Sequence, residues 1–473
     1  MSTLTHEQRL FVEMRPQVER RNNVVQRFHQ AHRMLRHPVL RQDRPWEKHS
    51  GMCASVIRGE EEGVFKAWYL AGGYLPGHSH VYCYAVSEDG IHWEKPILGL
   101  HEALGTRENN IVIPVEYHDG MDHWETVLKD TMDPDASRRY KALGWSSYDW
   151  DGPMCGIYSA TSPDGLNWSH TPKPLFHRIA QPGTDAFGPI GDAQSMMVDT
   201  RKQRYVAFLR SADGISRCLS ISEDFVHWTR PQPFLQALNE EETLYNNTGF
   251  PYGDMYLGFL THFNRNAYEQ TQTLQLITSR DGKRWMRPFA DPFIPLGGVG
   301  EWDRCQILLT GAPPIRLGDQ LYIYYRGASR RHNKVVGEFE PRIDADQLGR
   351  SEGLPYASYM AIGLATIRVD GFASVEASFD GGWIQTRELD FGGQELSVNV
   401  VSDHGRLMVE VLDGRNDEPI RGYTLAECIP IETDSTDVRV RWKKHNSVTA
   451  LAGRPVKIRF HLWNARLYSY RCV

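Results

Sequence analysis

A seven-residue motif of the form S-x-D-G-x-x-W occurs four times along this chain and constrains its fold more than any other feature. The copies span residues 87–93, 162–168, 222–228 and 279–285, and Phe225 replaces glycine in the third. An Asp-Gly pair favours a tight hairpin turn, because Asp bonds to nearby backbone and Gly accepts a positive φ. The motif therefore predicts four hairpins, each with a tryptophan that packs back over it.

The spacing of the copies indicates what each hairpin belongs to. The four motif tryptophans lie 75, 60 and 57 residues apart. That length holds four strands, which is one blade of a β-propeller. A fifth unit lacks the motif but keeps strand-like runs at residues 306–310, 320–326 and 360–369. We therefore predict a five-bladed β-propeller over residues 38–371.

The chain beyond residue 371 has a different pattern. Apolar and polar residues alternate in short runs such as 396–401 and 456–462, with turn residues such as Asp413-Gly414 between them. This alternation is typical of an antiparallel β-sandwich. The predicted class is therefore all-β, with a sandwich domain at residues 372–473.

The first segment has a helical pattern. Leu10, Met14 and Val18 recur at helical spacing among Gln, Glu and Arg residues, and Pro38 would end the helix. We therefore predict that residues 1–37 form an N-terminal helical segment. Such a helix would brace the β domain or form a contact between subunits.

The overall composition excludes several functional classes. The chain has 473 residues and a net charge of −6, with no long basic run, so neither nucleic acid nor an anionic membrane is an expected partner. Its seven cysteines include no CxxC pair, which favours buried free thiols over disulfides or a zinc site. The charged N-terminus lacks an apolar signal region, so a cytoplasmic location is expected. No cofactor is expected, although a structural calcium or sodium ion remains open.

The blade pattern resembles that of a known group of enzymes. A five-unit propeller with S-x-D-G-x-x-W-x-x-P hairpins is similar to glycoside hydrolases of the invertase, levanase, arabinanase and β-xylosidase type. The runs at 382–386, 405–410 and 465–469 resemble the sandwich of the invertase branch. The resemblance covers nearly all of the chain after residue 38. It implies a glycosidase that acts on a small oligosaccharide or glycoside.

The catalytic motifs of the invertase branch are not intact here. That branch has W-x-N-D-P-N on the first blade, R-D-P on the second and E-C on the third. The corresponding places here contain P-W-E-K-H-S-G at 45–51, H-W-E-T at 123–126 and G-D-A-Q-S at 191–195. The resemblance is therefore to a divergent relative, and it does not imply specificity for fructosides.

Glycoside cleavage requires two carboxyl groups on opposite sides of the scissile bond, one as acid and one as nucleophile or base. In a propeller, such groups sit where the innermost strand of each blade begins. Carboxylates at those places are Asp192, Asp303, Glu47 and Glu125. Each has a structural alternative: a turn residue for Asp192, an ion pair with a neighbouring cation for Asp303 and Glu47, and an exposed strand position for Glu125.

Side chains near the same strand ends are candidates for binding sugar hydroxyls. They share a polar or aromatic character that suits hydrogen bonding or stacking. The candidates are Trp46, His49, Gln194, Arg210, Tyr245, Asn246, His262, Glu301, Gln306 and Arg326. Because a guanidinium group suits carboxylates, Arg210 and Arg326 leave an acidic sugar open.

Alternatives from three classes accompany the glycosidase interpretation. The motif also resembles the Asp-box of sialidases, although it is one residue shorter. Phosphorolysis, as in mannoside phosphorylases of similar fold, would need a cationic pocket, for which Arg210, Arg304 and Arg326 are the residues to test. A non-catalytic carbohydrate-binding propeller would suit the loss of the catalytic motifs. In every case the expected partner is a small carbohydrate, with a homo-oligomer through the N-terminal helix as a further possibility.

Overall fold

A computed structural model describes residues 2–47, 54–59, 62–72, 80–113, 123–179, 189–265, 270–329, 331–332 and 360–473. Across these ranges the chain consists of strands and turns, with short 3-10 turns and no α-helix. The 3-10 turns are Ala136–Arg138, Leu425–Glu427 and Thr449–Leu451. The predicted all-β class is therefore confirmed. The described part of the chain also contains no helix that is long and apolar enough to cross a membrane.

The prediction of an N-terminal helix is wrong, because the segment is extended. Its strands are β1 (Ser2–Leu4), β2 (Arg9–Leu10), β3 (Val18–Asn22), β4 (Val25–Phe28) and β5 (His32–Arg33). The three apolar residues behind the prediction are all buried, but in different places: Leu10 packs among propeller-type sheets, and Met14 and Val18 pack in the C-terminal core. Apolar residues four positions apart would lie on one face of a helix. Here they are apolar because the extended segment runs between two cores and buries residues in each.

Five successive groups of mainly antiparallel strands follow in the described chain. The first group comprises β6 (Ala54–Arg58), β7 (Phe65–Gly72), β8 (His80–Ser87) and β9 (Ile111–Ile113). The second comprises β10 (His123–Lys129), β11 (Tyr140–Ser146), β12 (Gly156–Ser162), β13 (Ser169–His170) and β14 (Phe176–His177). The third comprises β15 (Ser195–Asp199), β16 (Arg204–Arg210), β17 (Ser216–Ser222) and β18 (Gln232–Gln236).

The fourth and fifth groups share one sheet through a single parallel bridge between Gln272 and Gln306. The fourth comprises β19 (Glu242–Asn247), β20 (Phe250–Tyr252), β21 (Met255–Asn264), β22 (Gln272–Ser279) and β23 (Trp285–Met286). The fifth comprises β24 (Gln306–Leu309), β25 (Ile315–Leu317), β26 (Gln320–Ala328) and β27 (Met360–Arg368). The N-terminal strand β5 pairs with β27 and so forms the outer edge of the fifth group.

Two further sheets contain the C-terminal strands. These are β28 (Ala373–Ala377), β29 (Gly382–Thr386), β30 (Leu389–Phe391), β31 (Leu396–Val401), β32 (Arg406–Asp413), β33 (Asp434–Arg439), β34 (Val456–Trp463) and β35 (Ala465–Cys472). One sheet has the order β1-β30-β34-β29-β3 with β32 on β34, and the other has the order β33-β31-β35-β28-β4 with β2 on β35. The N-terminal strands therefore contribute to both sheets.

Both faces of the middle strands are buried, which explains their nearly continuous apolar runs. In β16, Tyr205, Ala207 and Leu209 pack towards the second group, whereas Val206 and Phe208 pack towards the fourth. Alternate residues of a strand point to opposite faces, so one strand serves two cores. Similar apolar clusters join the first group to the second, and the fourth and fifth groups back to the first. Sheets that pack face to face in a closed series are typical of a β-propeller.

The four motif copies form the predicted turns. In the first copy, Asp89 Oδ1 accepts hydrogen bonds from the N–H groups of Ile91 and His92, each at 2.8 Å, while Gly90 N–H donates to Ser87 Oγ. Phe225 adopts a φ of 62° at the position that glycine occupies in the other copies, which shows that the turn requires a left-handed backbone.

Each turn is also attached to the strand group that precedes it. In every copy, a side chain of the preceding group donates a hydrogen bond to a backbone carbonyl of the turn. The four pairs are Tyr324 with Gly90 (2.8 Å), Trp68 with Gly165 (2.5 Å), Arg138 with Asp224 (3.2 Å) and Arg204 with Asp281 (3.1 Å). The first pair joins the fifth group to the first. The motif therefore forms a turn within its own group and also accepts a hydrogen bond that links this group to the preceding one.

Replacing Tyr324 with phenylalanine should destabilise the chain by about 1–2 kcal/mol, because the carbonyl of Gly90 would lose its donor in a buried position. The change in free energy of unfolding can be measured by chemical denaturation. Tyr322→Phe is the matched control, since the Tyr322 hydroxyl makes no hydrogen bond to any described residue. Equal losses in the two variants would contradict a role for this attachment.

Candidate active site

Asp192 lies three residues before β15, the first strand of the third group, and its carboxylate is open to solvent. The side chain is 53% exposed, and its Oδ1 accepts a 2.8 Å hydrogen bond from Arg210 Nη1. The Arg210 guanidinium in turn lies 4.8 Å from the ring centre of Tyr245. The structure therefore brings together three residues that sequence analysis selected separately: Asp192, Arg210 and Tyr245.

A buried arginine beneath this cluster fixes the backbone on both sides of it. Arg217 has no exposed surface, and it donates to the carbonyls of Ala193 and Tyr245, both at 3.0 Å, and to the side chains of Asn247 and Asn246. Ala193, next to the candidate carboxylate, has a φ of 69°. Sequence analysis missed Arg217, although its position as the single charged residue of the predicted strand 216–221 is a usable signal.

Three other predicted binding residues are buried. Gln194 and Gln306 have no exposed surface, and Arg326 is 8% exposed. Gln306 lies at the bridge that joins the fourth and fifth groups. His49, which was also predicted to bind substrate, lies outside the described residues.

Glu242 begins β19, the first strand of the fourth group, and sequence analysis overlooked it. Its Oε1 lies 3.0 Å from His262 Nε2 and 2.6 Å from Arg287 Nη1. Burial raises the pKa of Glu242, but hydrogen bonds from His262 and from the Leu238 N–H, together with the charge of Arg287, outweigh this and lower the pKa to about 2. The carboxyl is therefore ionised, and His262, which was predicted to bind substrate, lies against it. The available signal was a run of three glutamates, 240–242, just before a first strand.

Asp303 lies in a separate, buried cluster. Its Oδ1 accepts from Arg33 Nη1 at 2.9 Å, its Oδ2 accepts from the Tyr325 hydroxyl at 2.8 Å, and its side chain has no exposed surface. Arg33 also binds Glu301 at 2.6 Å, which links this loop to the N-terminal strand β5. Burial raises the pKa of Asp303, against the opposing effects of Tyr325 and Arg33. The cation that pairs with Asp303 is thus Arg33, a residue distant in sequence.

Glu47 is buried in a third cluster. Its two oxygens accept from Tyr69 at 2.6 Å, from Lys95 at 2.8 Å and from two backbone N–H groups. The neighbouring Trp46 donates to Asn110 at 2.9 Å, and Asn110 also donates to the Tyr69 hydroxyl. Every described contact of Glu47 therefore anchors the chain that leads into the first group.

Glu125 occupies a β-bulge at the beginning of β10. The pairing of β10 with β11 shifts register between Trp124 and Thr126, on either side of Glu125. β10 is the first strand of the second group and contacts β6 and β15, the first strands of the neighbouring groups. Bulges re-aim side chains and are frequent beside active sites.

The described side chains of the candidate carboxylates lie in two kinds of environment. Glu47 and Asp303 are completely buried and paired with cations, whereas Asp192 is open to solvent. The backbone of Glu125 lies on a bulge of the neighbouring first strand. Within the described residues, no group of three or more His, Cys, Asp or Glu side chains is arranged to hold a metal ion. The six described cysteines are buried and free, as predicted.

No protein-family model matches the chain, and no curated protein matches its sequence. Solved structures do match it. One described as a glycoside hydrolase is 14% identical with a TM-score of 0.50, and the match covers 72% of this chain and 92% of that one. The solved structure of a BT0996 RGII complex matches with the same identity, coverage and TM-score. The chain therefore shares the fold of a solved glycoside hydrolase, as the propeller-type sequence pattern predicted.

Replacing Glu242 with glutamine should destabilise the chain by about 1–3 kcal/mol at pH 7, since His262 and Arg287 would lose their charged partner. Because folding lowers the pKa of Glu242 from 4.5 to about 2, its stabilising effect is present above pH 4.5 and is lost as pH falls towards 2. The difference in denaturation midpoint between variant and wild type should therefore shrink between pH 5 and pH 3.

Glu240→Gln is the matched control, since Glu240 is exposed in the same glutamate run. It should leave the midpoint unchanged at every pH. A constant difference between the Glu242→Gln variant and the wild type across this pH range would show that the stabilisation does not depend on the charge of Glu242.

Proposed function

We propose that this chain is a glycosidase that cleaves the glycosidic bond of a small oligosaccharide or glycoside. The observation that carries the proposal is Asp192, a solvent-open carboxylate held by Arg210 at the beginning of a first strand. The fold shared with a solved glycoside hydrolase supports it. Fold alone does not define function, so the proposal depends on the carboxylate and its surroundings.

We also propose that the strand groups around the site form a closed propeller. The five strand groups would be five blades of one propeller spanning residues 38–371, and residues 372–473 would form the accompanying sandwich. In such a ring, all first strands begin at the same end of the propeller. Apolar clusters between successive groups, and from the last group back to the first, support a closed ring.

Asp192 would act as the nucleophile or base of the catalytic pair. Its Oδ1 accepts a hydrogen bond from the Arg210 guanidinium, which orients the carboxyl group. An ionised carboxylate serves as nucleophile, as water activator or as stabiliser of the positively charged transition state. Tyr245, stacked on Arg210, would provide an aromatic surface beside the sugar.

Glu125 would supply the second carboxyl group, as the acid that protonates the leaving oxygen. It is the third residue of β10, the first strand of the group next to that of Asp192, and β10 and β15 are in contact. The bulge at this position supports a functional role, since a regular strand would need no extra residue there. Asp303 and Glu47 would instead support the architecture, because their carboxylates are buried against Arg33 and Lys95.

The decisive experiment compares wild type with Asp192→Asn and Glu125→Gln on a panel of nitrophenyl glycosides and neutral and acidic oligosaccharides. Each substitution should reduce kcat by about 10²–10⁴, the usual contribution of an acid–base group. Circular dichroism should show an unchanged fold, because Asp192 is exposed and both replacements keep the side-chain shape.

Asp213→Asn is the matched control, since Asp213 is an exposed carboxylate near Asp192 on the loop after Arg210. It should retain wild-type activity. Turnover that requires added phosphate would indicate a phosphorylase, and sugar binding without turnover would indicate a binding module. Full activity in both carboxylate variants would refute the proposed pair.

A further inference from the structure

A cavity outside the cluster around Asp192 lies between the first and second strand groups. Its volume is about 400 Å³, within the range of small-molecule pockets. Its lining includes His101 ahead of β9, Trp124 in β10, the motif residues Asn167 and Trp168, and His170 in β13. None of its lining residues belongs to the cluster around Asp192.

Two tryptophans give the cavity its apolar surface. The rings of Trp124 and Trp168 lie edge to face with centres 4.5 Å apart. Trp168 also donates its indole N–H to the Gly165 carbonyl at 2.9 Å, which fixes the orientation of its ring. A rigid, half-exposed indole offers a flat surface at little entropic cost, and the C–H face of a pyranose is complementary to it.

The indole N–H of Trp124 is an unused donor within this lining. Trp124 is 3% exposed, and its Nε1 is buried without a hydrogen-bond acceptor among the described residues. A buried polar group without a partner is rare and costs stability. An acceptor within a bound molecule, such as a sugar hydroxyl, would satisfy it.

The remaining polar groups include an amide and an imidazole, which are suited to hydroxyls. Asn167 donates its amide N–H to Asp164 at 2.8 Å, which leaves its amide oxygen without a donor among the described residues. His170 Nδ1 is bound to the Thr171 carbonyl at 2.8 Å, so its ring is held in place. No Asp, Glu, Lys or Arg is among the described residues that line the cavity. An acidic sugar would therefore lack a counter-charge here.

We propose that this cavity is a secondary binding site for an uncharged pyranose residue of a glycan chain. Trp168 would stack on the ring face, and Trp124, Asn167 and His170 would bind its hydroxyls. The described lining of the cavity shares no residue with the cluster of Asp192, Arg210 and Tyr245, and no Asp, Glu, Lys or Arg is among its residues. It would hold a glycan on the protein without taking part in bond cleavage.

The test is native affinity electrophoresis of the full chain in gels that contain soluble glucan, mannan or galactan, with polygalacturonate as the acidic comparison. At least one neutral polysaccharide should retard the wild type. Trp168→Ala and Asn167→Ala should weaken the apparent affinity about tenfold or more, as expected for the loss of an aromatic or hydrogen-bonding contact.

The repeated motif supplies matched controls for both substitutions. Trp228→Ala and His227→Ala change the equivalent positions of the third copy, where His227 bonds to Asp224 as Asn167 bonds to Asp164. These variants, and Asp213→Asn, should keep wild-type retardation. The proposal is overturned if no neutral polysaccharide retards the wild type, if polygalacturonate alone does so, or if retardation is lost equally in the control variants.

Discussion

The hydrogen bond from one strand group to the turn of the next is the interaction on which the rest of this structure depends. In each motif copy the aspartate satisfies the N–H groups of its own turn, so a turn carbonyl remains available to a side chain of the preceding group. Tyr324 and Gly90 make this contact between the last group and the first. Because every blade-like sheet is buried on both faces, fixing one turn also fixes the core on either side of it.

The N-terminal segment connects the strand groups to the C-terminal sheets, because its residues pack in the cores of both. Leu10 packs in the core shared by the first, fourth and fifth groups, and its neighbour Phe11 packs in the core of the C-terminal sheets. Further on, β5 completes the edge of the fifth group, and Arg33 within it binds Asp303 and Glu301. The burial of the Asp303 carboxylate is therefore explained by its ion pair with Arg33, which joins the N-terminal segment to the fifth group.

Carboxylates that occupy equivalent positions before a first strand have different environments in the folded chain. Asp192 and Asp303 both precede a first strand, yet one is open to solvent and the other is buried with Arg33 and Tyr325. The partner of Asp303 lies about 270 residues away in sequence, so no local pattern predicts it. Arg217, which holds the backbone beside Asp192, also binds partners from separate segments of the chain, so its role could not be predicted from its own strand.

The sequence alone determined the all-β class, the hairpin turns and the apolar strands, since these depend on residues close together in the chain. It also located Asp192, Arg210 and Tyr245 near strand ends. Only the tertiary structure decided that they meet, and that residues 2–37 form strands and turns where their spacing suggested a helix. The physical reason is that a local pattern specifies which face of a segment is buried, whereas packing against distant strands decides its conformation and partners.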